Sequence, residues 1–543
     1  MKELSLRINE ELQKLSEAQA PSAIWNRDVS FWGKTEASAK ESIRTRLGWL
    51  DSPTDFSLKV SELTAFANEI RQERFTDVVL LGMGGSSLSV EVLRDIFGGA
   101  ESFPKLQILD STHPDQIAAL EASIDLAHTL FIVSSKSGST IEPDSFLEYF
   151  WNRVTTLGVP HAGGHFCAIT DPGSLLVSLG AKREFRRVFL NPTNIGGRFS
   201  VLSYFGLVPA ALMGIDIRLL LDRALEAANN SKTEGAKNIA LRLGVEIGVA
   251  ANLGRDKLTV LLPKELTSFG HWLEQLIAES TGKEKRGVLP VVGEGETASA
   301  AYGEDRFFVG IDLVGGTAIS FPPDPCFQMS MQDKYDLGAQ FFIWEFAIAV
   351  IGKVIEVNPF DEPNVTESKQ NSLRVLEDFR KTGTIPDSGT VIDGVRLRTD
   401  IQGNTIQEVV HAFLEASVKP GCYIALMAYI EMSKQSEDAL TKIRSALEQR
   451  YHVPVTLGFG PRFLHSTGQL HKGGPAEGVF IQFTDTPKTD LAIPGKDLTF
   501  GTLIKAQAAG DRQSIEKRAR PLISFGFERG TLASLEKLLP DFS

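Results

Sequence analysis

Short apolar runs alternate with longer stretches of helical period along most of this chain. Thr76–Met83 (TDVVLLGM), Leu106–Asp110, Thr129–Ser134, His165–Thr170 and Arg187–Leu190 have the length and composition of strands. Ser87–Phe97 and Asp144–Thr156 lie between them and predict helices. Strands alternating with helices predict a parallel sheet with helices on both faces. A helical stretch, Asp216–Gly248, leads into a second series. It contains predicted strands at Leu258–Leu262, Arg306–Leu313 and Thr317–Phe321, and helices at Ser268–Ser280 and Gly338–Val357.

The pattern differs at the two ends. Residues 1–60 read as polar helices with a Trp-rich lead-in (Trp25, Trp32, Trp49), forming a cap on the first α/β series. After Lys369 the composition changes, and Lys381–Gly394 (KTGTIPDSGTVIDG) reads as a linker. Beyond it come a helix at Thr405–Ala416, a strand at Cys422–Ala428, a helix at Ser436–Tyr451 and a basic, partly helical tail at Lys505–Glu528. The chain is therefore expected to divide into a helical cap (1–60), two α/β units (61–225 and 226–385) and a C-terminal α/β extension (386–543).

Composition narrows the function. The 543 residues exceed one compact core. A net charge of −12 argues against broad nucleic-acid binding but leaves room for a locally positive pocket. Cys167, Cys326 and Cys422 are far apart and form no CxxC pair, which fits a reduced, cytoplasmic setting. The N-terminus lacks an apolar signal-like stretch. Glu345 and Lys353 interrupt the longest apolar helix, so no membrane partner is expected.

Two loops carry the first chemical signal. Gly82-Met83-Gly84-Gly85-Ser86-Ser87 joins a predicted strand to a predicted helix. There glycines admit an anion close to the backbone, and the helix start offers free N–H groups. A dinucleotide site competes for this loop, with Asp110 at the end of the next strand as its ribose acid, but Ser87 replaces the third glycine of that fingerprint. Ser134-Ser135-Lys136-Ser137-Gly138-Ser139-Thr140 follows the strand TLFIVS, and five of its seven residues carry a hydroxyl. Such a loop can surround a phosphate with O–H and N–H donors.

Together these loops resemble the sugar isomerase domains that bind phosphosugars. Three further segments narrow the resemblance to the phosphoglucose isomerase family: Asn194–Ser200 (NIGGRFS), Ala278–Lys283 (AESTGK) and Asn358–Val365 (NPFDEPNV) through Lys369. The five segments occur in family order. The resemblance implies two tandem three-layer α/β/α sandwich domains with parallel sheets, followed by the α/β extension. It implies a metal- and cofactor-free interconversion of glucose 6-phosphate and fructose 6-phosphate, and a homodimer. It departs from the family pattern twice. Glu362 stands where the family usually has Gln, and no histidine occurs between Glu279 and Lys369. His465-Ser466-Thr467-Gly468-Gln469 resembles the missing histidine segment, an arrangement similar to the isomerase half of transaldolase–isomerase fusions.

The residues offer each part such a reaction needs. Gly85, Ser86, Ser135, Lys136, Ser137 and Thr140 are the candidate phosphate cradle. Glu279 is the candidate base that moves a proton between C2 and C1. It lies about 90° from the centre of the apolar stripe Phe269, Trp272, Leu273, Leu276 and Ile277, at its edge, in a last helical turn whose dipole raises a carboxyl pKa. Arg198 is the candidate for the enediolate charge, and Lys369 and His465 for ring opening. His465 and His471 are six residues apart, do not share a helix face, and have no acidic or Cys companions, so no metal is expected. Two other functions compete. A phosphosugar-sensing protein would need no base, and a dehydrogenase would use only the first glycine loop.

Overall fold

The computed structural model describes residues 2–294, 302–320, 326–386, 388–528 and 530–542. Its strands form three sheets. The first contains β1 (Asp77–Leu81), β2 (Lys105–Leu109), β3 (Thr129–Ser134), β4 (Phe166–Thr170) and β5 (Arg187–Leu190), all parallel, in the order β2-β1-β3-β4-β5. The second contains β6 (Lys257–Leu261), β7 (Leu289–Val292), β8 (Arg306–Leu313) and β9 (Cys326–Met331), again all parallel, in the order β7-β6-β8-β9. These are the two tandem α/β sandwiches expected.

The third sheet lies in the C-terminal extension. It contains β10 (Thr390–Ile392), β11 (Val395–Arg398), β12 (Tyr423–Tyr429), β13 (Val455–Phe459), β14 (Gly478–Asp485) and β15 (Leu522–Phe527), in the order β10-β11-β15-β14-β12-β13. Strand β11 is antiparallel to both β10 and β15, and the other pairs are parallel.

Several elements depart from the sequence reading. Residues 317–320 form no strand, and Phe321 lies outside the described residues. The sheet takes Cys326–Met331 instead, because this segment alternates exposed and buried positions along the edge of β8. Asp216–Gly248 is two helices, Ile217–Asn230 and Ile239–Asn252, with the second capped by Asn238. The first of them crosses the expected border at 225/226 and packs on the helix Leu337–Val354, so no linker separates the units there. The expected linker Lys381–Gly394 begins in the last residues of a helix, Pro363–Thr382, and contains β10.

The buried surfaces explain why the units do not separate. One apolar core joins Leu15, Ile24 and Trp49 of the cap to one face of the first sheet and to the second unit. The other face of the first sheet (Val79, Phe131, Val133) packs with Val375 and Leu376, and with Phe500 and Leu503 of the C-terminal helix Phe500–Glu516. A further core joins Ala278 and Val291 to Tyr423, Met427 and Leu470. The C-terminal unit is therefore wedged against both sandwiches. The apolar helix expected at Gly338–Val357 runs Leu337–Val354 and is almost wholly buried in the core. Burial there pushes the carboxyl of Glu345 well above its usual value.

Candidate active site

The sheet order reverses between β1 and β3, and both strands end in the glycine-rich and hydroxyl-rich loops. Open α/β sheets bind ligands in this crevice, outside the carboxyl ends of the strands. The loops Gly84–Ser86 and 134–140 therefore lie side by side, and Ser134 Oγ donates to the Ser86 carbonyl (3.3 Å). Gly85 touches the backbone of the next motif: a Cβ there would sit 2.2 Å from the Gly197 carbonyl oxygen. Only glycine allows this approach, which places the Arg198 segment against the loop.

All ten candidate residues line one cavity of about 490 Å³: Gly85, Ser86, Ser135, Lys136, Ser137, Thr140, Arg198, Glu279, Lys369 and His465. Along the 134–140 loop, Ser135 Oγ accepts the Gly138 N–H (3.2 Å), and the Ser137 and Ser139 hydroxyls are 2.9 Å apart. The main-chain N–H groups of Lys136 and Ser137 have no acceptor among the described residues. The Lys136 ammonium is tied to the Asp171 carboxylate and donates to the Thr193 carbonyl (2.9 Å). Its side chain thus braces the loop, and its free donor is the backbone N–H.

Glu279 sits in the last turn of the helix Thr267–Thr281 and is buried. Its carboxyl is raised chiefly by burial and also by the neighbouring Glu362, against the opposing pull of Arg198, Gln275 and His465. Burial, rather than the helix end, is the leading cause. Gln275, one turn earlier, donates to Glu279 Oε2 (3.0 Å) and to the His465 carbonyl (2.8 Å). Arg198 is buried and fixed from several sides. Its Nε donates to Ser280 Oγ (2.7 Å) and its Nη2 to the carbonyls of Pro359 (2.8 Å) and Asp361 (3.2 Å). Its Nη1 lies 3.1 Å from both Glu279 Oε1 and Glu362 Oε2.

Glu362 also pairs with Arg46 Nη1 (3.1 Å) and is held below its usual value: burial opposes the charge, but Arg198 and Arg46 outweigh it. Its place is thus beside the base. Lys283 Nζ binds Asp361 Oδ1 (2.8 Å) and holds the neighbouring turn in place; burial pushes its pKa down to about 8.

His465 ends the short helical turn Arg462–His465 after β13. Its Nε2 lies 3.2 Å from Glu142 Oε1. Glu142 is buried, yet the charge of His465 and the hydrogen bond to it hold its carboxyl below the ordinary value. Gln507 donates to the same oxygen (2.7 Å) and accepts from Thr112 Oγ1 (2.7 Å). Gly84, at φ +58°, leaves room for this histidine: a Cβ there would meet His465 Cβ at 2.8 Å. Lys369 projects from the exposed side of the helix Pro363–Thr382, and its charge also favours ionised Glu142. His471 faces away from the cavity, packed against Phe480 and Phe463, and burial drives its pKa well below the usual value. Asp110 is occupied by Ser87 Oγ (3.0 Å) and Arg462 Nε (3.1 Å) inside the structure, so it is not presented to a ribose. Among the described residues, no cluster of three or more His, Cys, Asp or Glu is placed to hold a metal.

Sequence reasoning missed Arg46, Glu142 and Gln275. Gln275 shares a helix face with Glu279 at i, i+4, which is a readable signal. Glu142 follows the hydroxyl loop by two residues. Arg46 comes from the cap, and no local pattern marks it.

The phosphoglucose isomerase family profile matches residues 62–306, a span that includes both loops, Arg198 and Glu279. The glucose-6-phosphate isomerase of Streptococcus pyogenes serotype M28 is 28% identical over 391 residues, covering 61% of this chain and 86% of that protein. That of Mycoplasmopsis pulmonis is 27% identical over 397 residues, covering 61% of this chain and 90% of that protein. The crystal structure of a glucose-6-phosphate isomerase from Chlamydia trachomatis shares the fold, with a TM-score of 0.55 at 18% identity over 68% of this chain and 86% of that one. On the ordered motifs and these relatives, the chain is similar to the phosphoglucose isomerases, and the family's profile covers its residues 62–306.

Proposed function

We propose that this cavity interconverts glucose 6-phosphate and fructose 6-phosphate through an enediolate, as a step of glycolysis and gluconeogenesis. The observation that carries the proposal is a buried carboxylate of raised pKa, Glu279, beside a fixed guanidinium, Arg198, in the same cavity as a hydroxyl-rich loop with free N–H donors.

The phosphate sits among Ser86, Ser135, Ser137, Thr140 and the N–H groups near Gly85 and Lys136. Its binding energy orients the distant C1–C2 end. His465, held by Glu142, and Lys369 move the proton between the anomeric hydroxyl and the ring oxygen. Glu279 takes the C2 proton of the open aldose and returns it to C1. Arg198 meets the negative oxygen that develops between these steps. Every one of these groups comes from a single chain. The three free, separated cysteines support a reduced, cytoplasmic setting.

The test is a coupled assay of the purified protein with fructose 6-phosphate, with and without a chelator. Turnover that survives chelation is expected. Binding without turnover would favour a phosphosugar sensor instead.

A further inference from the structure

The N-terminal cap delivers one charged side chain to the active-site cavity. Leu47 pairs with Ile195 through an isolated antiparallel bridge, and the Gly48 N–H donates to the Asn194 carbonyl (2.8 Å). This pairing sets Arg46 beside the segment that carries Arg198. The Arg46 side chain then runs past Gly196, where a Cβ would lie 3.8 Å from both its Cδ and its Nη1. Arg46 and Glu362 line the cavity together.

From there the charges alternate as far as the candidate base. Arg46 Nη1 donates to both oxygens of Glu362 (3.1 and 3.2 Å). Glu362 Oε2 accepts in turn from Arg198 Nη1 (3.1 Å), and the same Nη1 lies 3.1 Å from Glu279 Oε1. One guanidinium nitrogen is thus divided between two carboxylates. The rest of Arg198 is fixed by Ser280 Oγ and by the carbonyls of Pro359 and Asp361, so what can vary is how Nη1 is shared. Glu362 has a second arginine, whereas Glu279 has the Gln275 amide (3.0 Å). The other charges acting on the two carboxylates are Lys283, tied to Asp361 (2.8 Å), and His465, 3.2 Å from Glu142. Arg46 also acts on Asp171, which is tied to Lys136. A carboxylate already offset by one cation draws less strongly on another.

We propose that Arg46 is a positioning residue that, by offsetting Glu362 from the cap, keeps Arg198 available to Glu279. The part this gives Arg46 in proton transfer rests on the reading of Glu279 as the base. Without Arg46, Glu362 is left with Arg198 as its hydrogen-bond donor among the described residues. It then draws Nη1 from Glu279, and its own charge is no longer offset. Both changes disfavour ionised Glu279, so its carboxyl would titrate at higher pH.

Two measurements on the full chain test this. One is NMR titration of protein isotopically labelled at the glutamate carboxyl carbons, with the Glu279 signal assigned by its loss in Glu279→Gln. The other is the acid limb of kcat/KM for fructose 6-phosphate. R46M is expected to move both midpoints up by on the order of one pH unit, the effect of losing a nearby opposite charge. R46K, which keeps the charge and a donor, should recover most of that shift. In the Glu362→Gln background, R46M should move neither midpoint. An unmoved Glu279 titration in R46M overturns the proposal. So does an equal shift with and without Glu362, because Arg46 would then act at long range and not through that carboxylate. A shifted Glu279 titration with an unmoved kinetic limb supports the positioning and removes Glu279 from the role of base, so the two failures are distinguishable.

Discussion

At the scale of single residues, Glu279 and its surroundings set the chemistry. Glu279→Gln keeps the shape of the pocket but cannot take a proton. It should lower kcat by about 10²–10⁴-fold and leave phosphosugar binding nearly intact. Steady-state kinetics together with binding of 6-phosphogluconate would check this, and near-normal kcat would remove Glu279 from the role. The pH profile gives a second test. A base works only when deprotonated, and the Glu279 carboxyl is raised by burial and by Glu362. The acid limb of kcat/KM should therefore lie above the ordinary Glu value of about 4.3. Glu362→Gln removes one of the two raising influences and frees Arg198 to act on Glu279 alone, so both changes move the limb to lower pH. A limb that stays put or rises would show that the coupling is not with Glu362.

At the scale of elements, the 134–140 loop and the Arg462–His465 turn each perform one task. Ser137→Ala and Thr140→Ala each delete a donor to a charged acceptor, worth about 1.5–3 kcal/mol. They should raise KM chiefly, and unchanged affinity for 6-phosphogluconate would exclude the loop as the cradle. His465→Ala should impair the cyclic sugar phosphate selectively and spare the open-chain form, since the imidazole is needed only for ring opening. Equal loss on both would contradict that role. Arg462 anchors the same turn: it pairs with Glu91 and Asp110 of the first unit, all of them buried. Removing one partner of a buried ion pair costs about 3–5 kcal/mol. Arg462→Met should destabilise the protein on that scale in urea unfolding, and a loss under about 1 kcal/mol would show that the pair does not anchor the turn.

At the scale of the whole molecule, the C-terminal unit completes the site by folding back over both sandwiches. What the sequence determined by itself was local. Strand and helix periodicity made the two parallel α/β units legible. Glycines and hydroxyls in consecutive positions made the loops legible, because adjacent residues share one turn. The ordered motifs brought Arg198, Glu279 and Lys369 into view for the same reason. The histidine segment was readable as a motif, but its place was not, since nothing local says where a distant loop docks. Only the tertiary structure brought Glu142 of the first unit against His465, Gln275 against the His465 carbonyl, and Arg46 of the cap against Glu362. Those pairings depend on which apolar faces bury each other: Phe146 against Phe500, and Ala278 in one core with Leu470. The raised pKa of Glu279 is decided there too. Its leading cause is burial by neighbours distant in the chain, and no reading of a single helix can supply that.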